Sequence, residues 1–220
     1  MSNGFFIDVT RCIACKACQI ACKQWNNLPA EQTTNVGSYQ NPPDFSAVTY
    51  KLVRMTESIV DGKFYGLYFP DQCRHCLLPP CLLWAQDSDA IYQDKDTGAV
   101  VYTSETQKLK AEDIIGVCPY DVPRRGKDGL LAKCTMCNDR VKRGMEPACV
   151  KTCPTDALNF GKLEEMQALA SERLEKIKSI YPDAQLLDAD DVRVIFLTAF
   201  APQKYHRYAA AFDARPRKTR

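Results

Sequence analysis

Cysteine is the residue type in this chain whose spacing indicates chemistry. The twelve cysteines form three groups along the sequence. They are Cys12, Cys15, Cys18 and Cys22; Cys73, Cys76 and Cys81 with the more distant Cys118; and Cys134, Cys137, Cys149 and Cys153. Two successive x2 steps place three thiolates in one short loop, where they can bind three corners of an iron-sulfur cubane. At four thiolates per cubane, the count predicts three [4Fe-4S] clusters and single-electron transfer.

Two other uses of cysteine stay open on spacing alone. Twelve cysteines in 220 residues are about 5%, below the roughly 8–10% of a short disulfide scaffold. Zinc is the second alternative, because Cys134, Cys137, Cys149 and Cys153 have spacings that an all-cysteine tetrahedral site accepts. Neither alternative explains the x2-x2-x3 spacing of residues 12–22 or the Cys-Pro steps at residues 118 and 153.

The composition predicts a globular chain, since 45% of the residues are hydrophobic and 25% are charged. The formal charge is +2. Twelve thiolates add −12 and three oxidised cores of about +2 each add about +6, which leaves a charge near −4. We therefore expect no nucleic-acid partner. The first ten residues lack the pattern of a secretory signal. The apolar stretch at residues 194–201 is far shorter than the ~20 residues of a spanning helix, so we expect no membrane insertion.

Around the cysteines, the sequence pattern predicts an order of strand, cysteine loop, helix and strand that occurs twice. After the last cysteine, apolar residues recur at intervals of three and four, which predicts an amphipathic helix that ends before Pro182. The predicted elements are strands at residues 5–9, 130–134, 157–160 and 192–198, helices at 17–25, 136–143 and 163–181, and a hairpin of residues 90–93 with 99–103.

Over residues 4–160, the chain resembles the four-cluster, ferredoxin-like electron-transfer subunits of molybdenum and tungsten oxidoreductases. The resemblance rests on the twelve cysteines, on Pro-Pro-Cys at residues 79–81 and on the two Cys-Pro steps. Phe-Phe-Ile-Asp at residues 5–8 and Cys-Ile-Ala-Cys-Lys-Ala-Cys-Gln-Ile-Ala-Cys-Lys-Gln-Trp-Asn at residues 12–26 are most similar to formate dehydrogenase beta subunits.

This resemblance implies an α+β fold of two ferredoxin-like units with much irregular loop, plus a C-terminal helix-strand extension. Residues 1–60 with 129–160 are the expected first unit, with two clusters. Residues 61–128 are an inserted second unit, with one cluster retained and one lost. Residues 161–220 are expected to cover the clusters or to contact a partner.

Members of the resembled family carry sixteen cysteines in four motifs, and their spacing assigns the four missing ligands to Ala85, Lys108, Ala111 and Ile114. If the fourth cysteine of each motif binds the cluster of the paired motif, one cluster has been lost whole. The crossed pattern then implies three sets of ligands. Set A consists of Cys12, Cys15, Cys18 and Cys153; set B of Cys22, Cys134, Cys137 and Cys149; and set C of Cys73, Cys76, Cys81 and Cys118.

No catalytic group of residues is evident in the sequence. The two histidines are His75 and His206, and we expect His75 to donate a hydrogen bond near set C. We expect Lys16 and Arg74, inside ligand loops, to raise the local reduction potential. The resemblance implies a large catalytic partner with a tungsten or molybdenum bis-pterin guanine dinucleotide and one [4Fe-4S] cluster.

Because tunnelling falls steeply with distance, we expect the lost cluster to lie at the exit end. Electrons would then leave to a soluble acceptor such as a cytochrome c. We expect a periplasmic complex in which this chain is exported with its partner, with a cytoplasmic complex as the alternative. Rival functions are the same role in a dimethyl sulfoxide, nitrate or polysulfide reductase, a free-standing ferredoxin, and a zinc-binding interaction module.

Overall fold

A four-stranded sheet joins the N-terminal strand to elements from the C-terminal third of the chain. The computed structural model describes residues 2–86 and 88–211. The strands are β1 (Asn3–Asp8), β2 (Leu52–Val60), β3 (Lys63–Asp71), β4 (Ile91–Gln93), β5 (Val100–Tyr102), β6 (Arg124–Arg125), β7 (Leu131–Ala132), β8 (Leu158–Lys162), β9 (Gln185–Leu187) and β10 (Val194–Thr198). The helices are α1 (Ala17–Trp25), α2 (Pro80–Ala85), α3 (Ala111–Val117), α4 (Asn138–Val141), α5 (Ala148–Lys151) and α6 (Leu163–Ile177).

The strand order in this sheet is β8-β1-β10-β9. Strand β1 pairs antiparallel with β8, which places Phe5 opposite Phe160, and parallel with β10, which places Phe5 opposite Val194. Every residue of β10 is buried, as expected for an apolar strand that is covered on both faces. The strands that flank the first and the last cysteine groups are therefore hydrogen-bonded neighbours.

Helix α6 covers one face of the sheet. Its buried residues Met166, Ala170 and Ile177 belong to the same apolar cluster as Phe6 and Ile195. The C-terminal region was predicted to cover the clusters or to contact a partner. In the structure it supplies an interior strand of the sheet and the helix that packs on it. The helix ends at Ile177, four residues earlier than predicted.

Three two-stranded hairpins stand apart from the sheet: β2-β3, β4-β5 and β6-β7. The predicted hairpin is present as β4-β5. The longest one, β2-β3, was not predicted. It turns at Asp61 (φ 49°) and Gly62 (φ 75°), and left-handed φ at both turn residues is what a type I′ hairpin requires. With long irregular segments between these elements, the predicted α+β class is confirmed.

Within residues 2–86 and 88–211, no helix combines the length and the apolar character needed to cross a membrane.

Candidate functional site

The cysteine loops have a strained backbone that directs N–H groups towards sulfur. Five non-glycine residues in these loops are left-handed: Ala14 (φ 55°), Lys16 (60°), His75 (46°), Met136 (59°) and Cys137 (49°). Such conformations cost about 1–2 kcal/mol each and persist where the surroundings require them. The N–H of His75 donates to Cys73 Sγ at 3.4 Å, and that of Met136 donates to Cys134 Sγ at 3.4 Å. The loops are therefore shaped to stabilise thiolates.

Set A joins the loop after β1 to the segment after α5. Burial raises the pKa of Cys12 to about 11, and repulsion from Cys18 and Cys153 adds to this. Burial raises the pKa of Cys18 as well, with contributions from Cys153 and Cys15. For Cys153 itself, burial is outweighed by hydrogen bonds from the Thr155 and Leu158 N–H groups, which lower its pKa. Cys15 is exposed, so this set reaches the surface.

Set B is built from α1 and the loop-helix segment that holds α4 and α5. Burial raises the pKa of Cys22 well above its ordinary value, followed by repulsion from Cys134, Cys149 and Cys137. All four of these thiols are buried. Since Cys22 and Cys18 lie one turn apart on α1, this single helix contributes to sets A and B. After burial, the three residues that most raise the pKa of Cys22 are therefore the ones that the crossed pattern assigns to the same set.

Set C surrounds a narrow cavity. Its lining includes Cys73, Cys76, Cys81 and Cys118, together with Lys133. Burial raises the pKa of Cys76, and the other three thiols of the set raise it further. Helix α2 begins at Pro80 in its first turn, where proline is favoured because its missing N–H has no helical partner. Cys81 is thereby placed at the wall of this cavity.

The three sets follow one another in space. After burial, the largest contribution to the raised pKa of Cys134 in set B comes from Cys73 in set C. The pKa of Cys149 in set B is raised by burial and, among other thiols, by Cys18 in set A. Set B therefore has a neighbouring thiol in each of the other two sets.

Apolar side chains occupy most positions of the missing ligands. Ala85, Ala111 and Ile114 are buried in one hydrophobic cluster, against which Cys81 packs. The fourth position, Lys108, has a side chain that is 77% exposed and paired with Glu105. This apolar cluster lies between α2 and α3, beside set C. A buried apolar cluster thus includes three of the four positions to which the resembled family pattern assigns a fourth set of cysteines.

Three polar residues in the ligand loops were predicted to influence the sites. Nδ1 of buried His75 accepts a hydrogen bond from the Val100 N–H at 3.0 Å, and burial holds the pKa of His75 well below its usual value. Arg74 is buried and paired with Asp71 at 2.7 Å. Lys16 donates to the carbonyl oxygen of exposed Tyr39. The predicted electrostatic roles of these residues stay predictions.

Two further residues were missed at the sequence level. Lys51 and Lys133 are buried, although lysine is rarely found fully buried without a charged partner. Lys133 directly precedes Cys134 in the chain, and this adjacency is the signal that could have identified it. Lys51 is thirty or more residues from the cysteines of set A in sequence, so no local pattern marks it.

The donor set fits an iron-sulfur cluster. All twelve cysteines are free thiols, and thiolates are the ligands that soft metal centres prefer. In the described residues, no three His, Cys, Asp or Glu side chains are close enough to hold a single metal ion. A cubane, whose four thiolates bind four different irons, needs wider sulfur spacing than one zinc ion with Zn–S of about 2.3 Å.

Comparison with known proteins agrees with this chemistry. Residues 64–163 match the model of the 4Fe-4S dicluster domain family. The chain is 56% identical to formate dehydrogenase subunit beta of Megalodesulfovibrio gigas, over 96% of this chain and 100% of that protein. The chain belongs to the formate dehydrogenase beta subunit family. It is an iron-sulfur electron-transfer subunit, as the resemblance implied.

More distant relatives carry corresponding names. Formate dehydrogenase 2 subunit beta (cytochrome c-553) of Nitratidesulfovibrio vulgaris is 46% identical over 95% of this chain and 99% of its own length. The formate dehydrogenase-O iron-sulfur subunit of Escherichia coli is 42% identical over 91% of this chain and 68% of its own length. As a formate dehydrogenase beta subunit, the chain has a catalytic alpha subunit as its partner.

Proposed function

We propose that this beta subunit receives electrons from a formate-oxidising catalytic subunit and transfers them singly through three [4Fe-4S] clusters to a soluble acceptor. The main support for the proposal is that set B has a neighbouring thiol in each of the other two sets, which favours a series from A through B to C. A cluster bound by four thiolates supplies a one-electron centre. The chain's contribution is to bind each cluster, to keep water from it and to hold neighbouring sites close.

The crossed assignment of ligands is part of this proposal. Residues 1–60 with 129–160 would hold the clusters of sets A and B, and residues 61–128 that of set C. The strongest support is Cys22, a neighbour of Cys18 on α1, whose pKa is raised by burial and then by three thiols of set B. Uncrossed ligation would instead require Cys22 to bind with Cys12, Cys15 and Cys18.

Paired substitutions test the crossed assignment in the purified complex. We expect Cys22→Ala to remove about four irons. Adding Cys134→Ala should remove no more, because both residues serve one cluster. Adding Cys12→Ala instead should remove about eight irons in total. The opposite pattern, with the Cys22 and Cys12 losses overlapping, would refute crossed ligation. Visible absorption that bleaches on reduction, with about twelve irons in this chain, separates the proposal from a zinc module.

We propose that set C is the exit. The packed cluster of Ala85, Ala111 and Ile114 adjoins set C, which supports a lost site beyond the end of the series. Leu78, Leu83 and Trp84 are exposed near the set C ligand Cys81, and exposed apolar patches often mark docking sites. The acceptor proposed is a cytochrome c, supported by the name of the Nitratidesulfovibrio relative, which includes cytochrome c-553.

An exit at set C is tested by Trp84→Ala, which removes a side chain that is 57% exposed. We expect formate-driven reduction of a cytochrome c to slow several-fold, while reduction of a small viologen dye is unchanged. Ile180→Ala, at an apolar position that is 69% exposed and remote from the cysteines in sequence, is the control. Equal cytochrome rates in both variants would place the exit elsewhere.

The cellular location is proposed as the periplasm, with this chain exported together with a partner that bears the signal. Fractionation of cells that produce both subunits tests this. Recovery of the assembled complex in the cytoplasmic fraction, with a periplasmic marker recovered separately, would favour the cytoplasmic alternative.

A further inference from the structure

Two buried lysines lie at the two junctions of the thiolate series. Lys51 is 2% exposed and Lys133 is 5% exposed. The hydrogen-bond acceptors of both ammonium groups are uncharged oxygens. Burying a charge is costly unless an opposite charge compensates it. Ordinary packing therefore does not explain why these two positive charges are buried.

Lys51 lies along α1, the helix that contributes to sets A and B. The carbonyl oxygen of Val48 accepts from Lys23 Nζ, and the N–H of Val53 donates to Gln19 Oε1 at 3.1 Å, which holds residues 48–53 beside the helix. Lys51 Nζ donates to the Pro70 carbonyl at 2.7 Å and to Gln72 Oε1 at 2.6 Å. These contacts hold the ammonium group rigidly in the interior.

The charge of Lys51 acts on thiols of both neighbouring sets. Burial raises the pKa of Cys12 and Cys18 in set A, and Lys51 opposes that rise. In set B, burial raises the pKa of Cys22 and Cys149, and Lys51 again opposes it. The ammonium group therefore lies within electrostatic range of sets A and B together.

Lys133 has the corresponding position between sets B and C. It directly precedes Cys134 of set B, and its Nζ donates to the Cys134 carbonyl at 3.0 Å and to the Val100 carbonyl. It also lines the cavity that the thiols of set C surround. The Nζ atom lies 4.6 Å from the centre of the Tyr102 ring, which holds the cation in place.

We propose that Lys51 and Lys133 are electrostatic links, each of which raises the reduction potentials of the two clusters that flank it. An oxidised cluster with four thiolates carries a charge of about −2, and reduction makes it more negative. A fixed positive charge nearby stabilises the reduced form more than the oxidised form. The clusters in turn compensate the two buried ammonium groups. This inference rests on the proposed cysteine sets.

The arrangement predicts an overlapping pattern of effects. The cluster of set B lies beside both lysines, whereas the clusters of sets A and C each lie beside one. Neutralising Lys51 should therefore lower the potentials of A and B, and neutralising Lys133 those of B and C. One cluster responds to both changes, and each of the others responds to one.

The experiment is a redox titration, followed by electron paramagnetic resonance, of the assembled complex carrying Lys51→Met or Lys133→Met. For each affected cluster we expect about a tenfold change in the ratio of reduced to oxidised form at fixed ambient potential, which corresponds to about 59 mV for one electron. Lys51→Arg and Lys133→Arg keep the charge and should shift little. Lys108→Met removes an exposed lysine and should shift none of the potentials.

Iron analysis distinguishes failure of this inference from failure of the proposed function. Fewer than about twelve irons in the wild-type chain refutes the three-cluster function. A full iron content with unmoved potentials in both Met variants overturns the role of the lysines alone. Should a Met variant lose iron, Lys51→Gln or Lys133→Gln is titrated instead, because glutamine keeps hydrogen-bond donors without charge. If both neutral variants lose iron and the Arg variant retains it, the positive charge is required to hold the clusters, which supports the mutual compensation of ammonium groups and clusters.

Discussion

The backbone N–H of Val100 donates to Nδ1 of His75 at 3.0 Å. This bond attaches strand β5 to the loop between Cys73 and Cys76. Both residues are buried, and burial, followed by the charges of Lys133 and Arg193, holds the pKa of His75 well below its usual value. The imidazole is therefore neutral at physiological pH, and its Nδ1 stays available as an acceptor.

His75→Leu should destabilise the loop of set C, because it leaves a buried backbone N–H without an acceptor. Such a loss costs about 1–3 kcal/mol, which for a chain of this size lowers the melting temperature by roughly 2–4 °C per kcal/mol. His75→Asn should cost less, since its side-chain oxygen can replace Nδ1 and asparagine tolerates the left-handed φ at this position. Melting curves of the complex check this. Equal melting temperatures for the two variants would contradict it.

The local sequence pattern correctly predicted the elements whose turn and periodicity signals lie within or next to the element itself. Helix α1 has the predicted bounds, and the β4-β5 hairpin is present, with Lys95, Asp96, Thr97 and Gly98 between its strands as the sequence pattern predicts. The β2-β3 hairpin was missed although Asp61-Gly62 is a strong turn signal. Its strands alternate weakly between buried and exposed residues, so hydrophobic periodicity did not mark them.

Long-range pairing was beyond the reach of the sequence pattern. Nothing near residues 194–198 indicates that this strand pairs in parallel with β1, almost the whole chain away. The same limit applies to the site. Spacing identified the thiolates, but Lys51 reaches them only because residues 48–53 fold beside α1. Burial, which only the fold reveals, distinguishes Lys51 and Lys133 from the exposed lysines.

Asp71→Asn should strongly destabilise the protein near set C. Asp71 Oδ1 accepts from Arg74 and Oδ2 accepts from Arg54, each at 2.7 Å, and all three side chains are buried. Removing the carboxylate leaves two buried guanidinium groups poorly compensated, a loss of about 3–5 kcal/mol. Chelator-driven loss of iron, followed by visible absorption, should accelerate.

Asp44→Asn is the control for that prediction. Asp44 pairs with Arg54 at 2.9 Å, but its side chain is 47% exposed, and pairs of this kind contribute about 0–1 kcal/mol. Comparable rates of iron loss in the Asp71 and Asp44 variants would show that burial does not govern this network.

Ile114→Ala should weaken the packing of α2 against α3. Ile114 is 1% exposed and lies in the apolar cluster beside Cys81. Truncation of a buried isoleucine costs about 2–5 kcal/mol because a cavity remains. Ile180→Ala removes the same atoms from a side chain that is 69% exposed and should change the free energy of unfolding by less than about 0.5 kcal/mol. Urea denaturation measures both, and equal losses would mean that α2 and α3 are not tightly packed.

His206 should make stability depend on pH below neutrality. Burial lowers its pKa to about 4, with Arg54 and Arg74 adding to the effect and Asp71 opposing it. The unfolded chain, in which histidine titrates near 6.5, then binds the proton more readily. The contribution of His206 to the free energy of unfolding is therefore fully present above about pH 6.5 and is lost as the pH falls towards 4.

Between pH 7 and pH 5, the protonation of His206 should cost the wild type up to about 2 kcal/mol relative to His206→Phe. Phenylalanine cannot be protonated and preserves the ring contact with Tyr208, whose centroid lies 5.5 Å away. Acid lability of the clusters and protonation of His75 are common to both proteins, so the difference between their melting temperatures isolates His206. As the pH falls, the melting temperature of the wild type should decrease relative to that of His206→Phe. A difference between the two melting temperatures that does not depend on pH would show that His206 has an ordinary pKa in the folded protein.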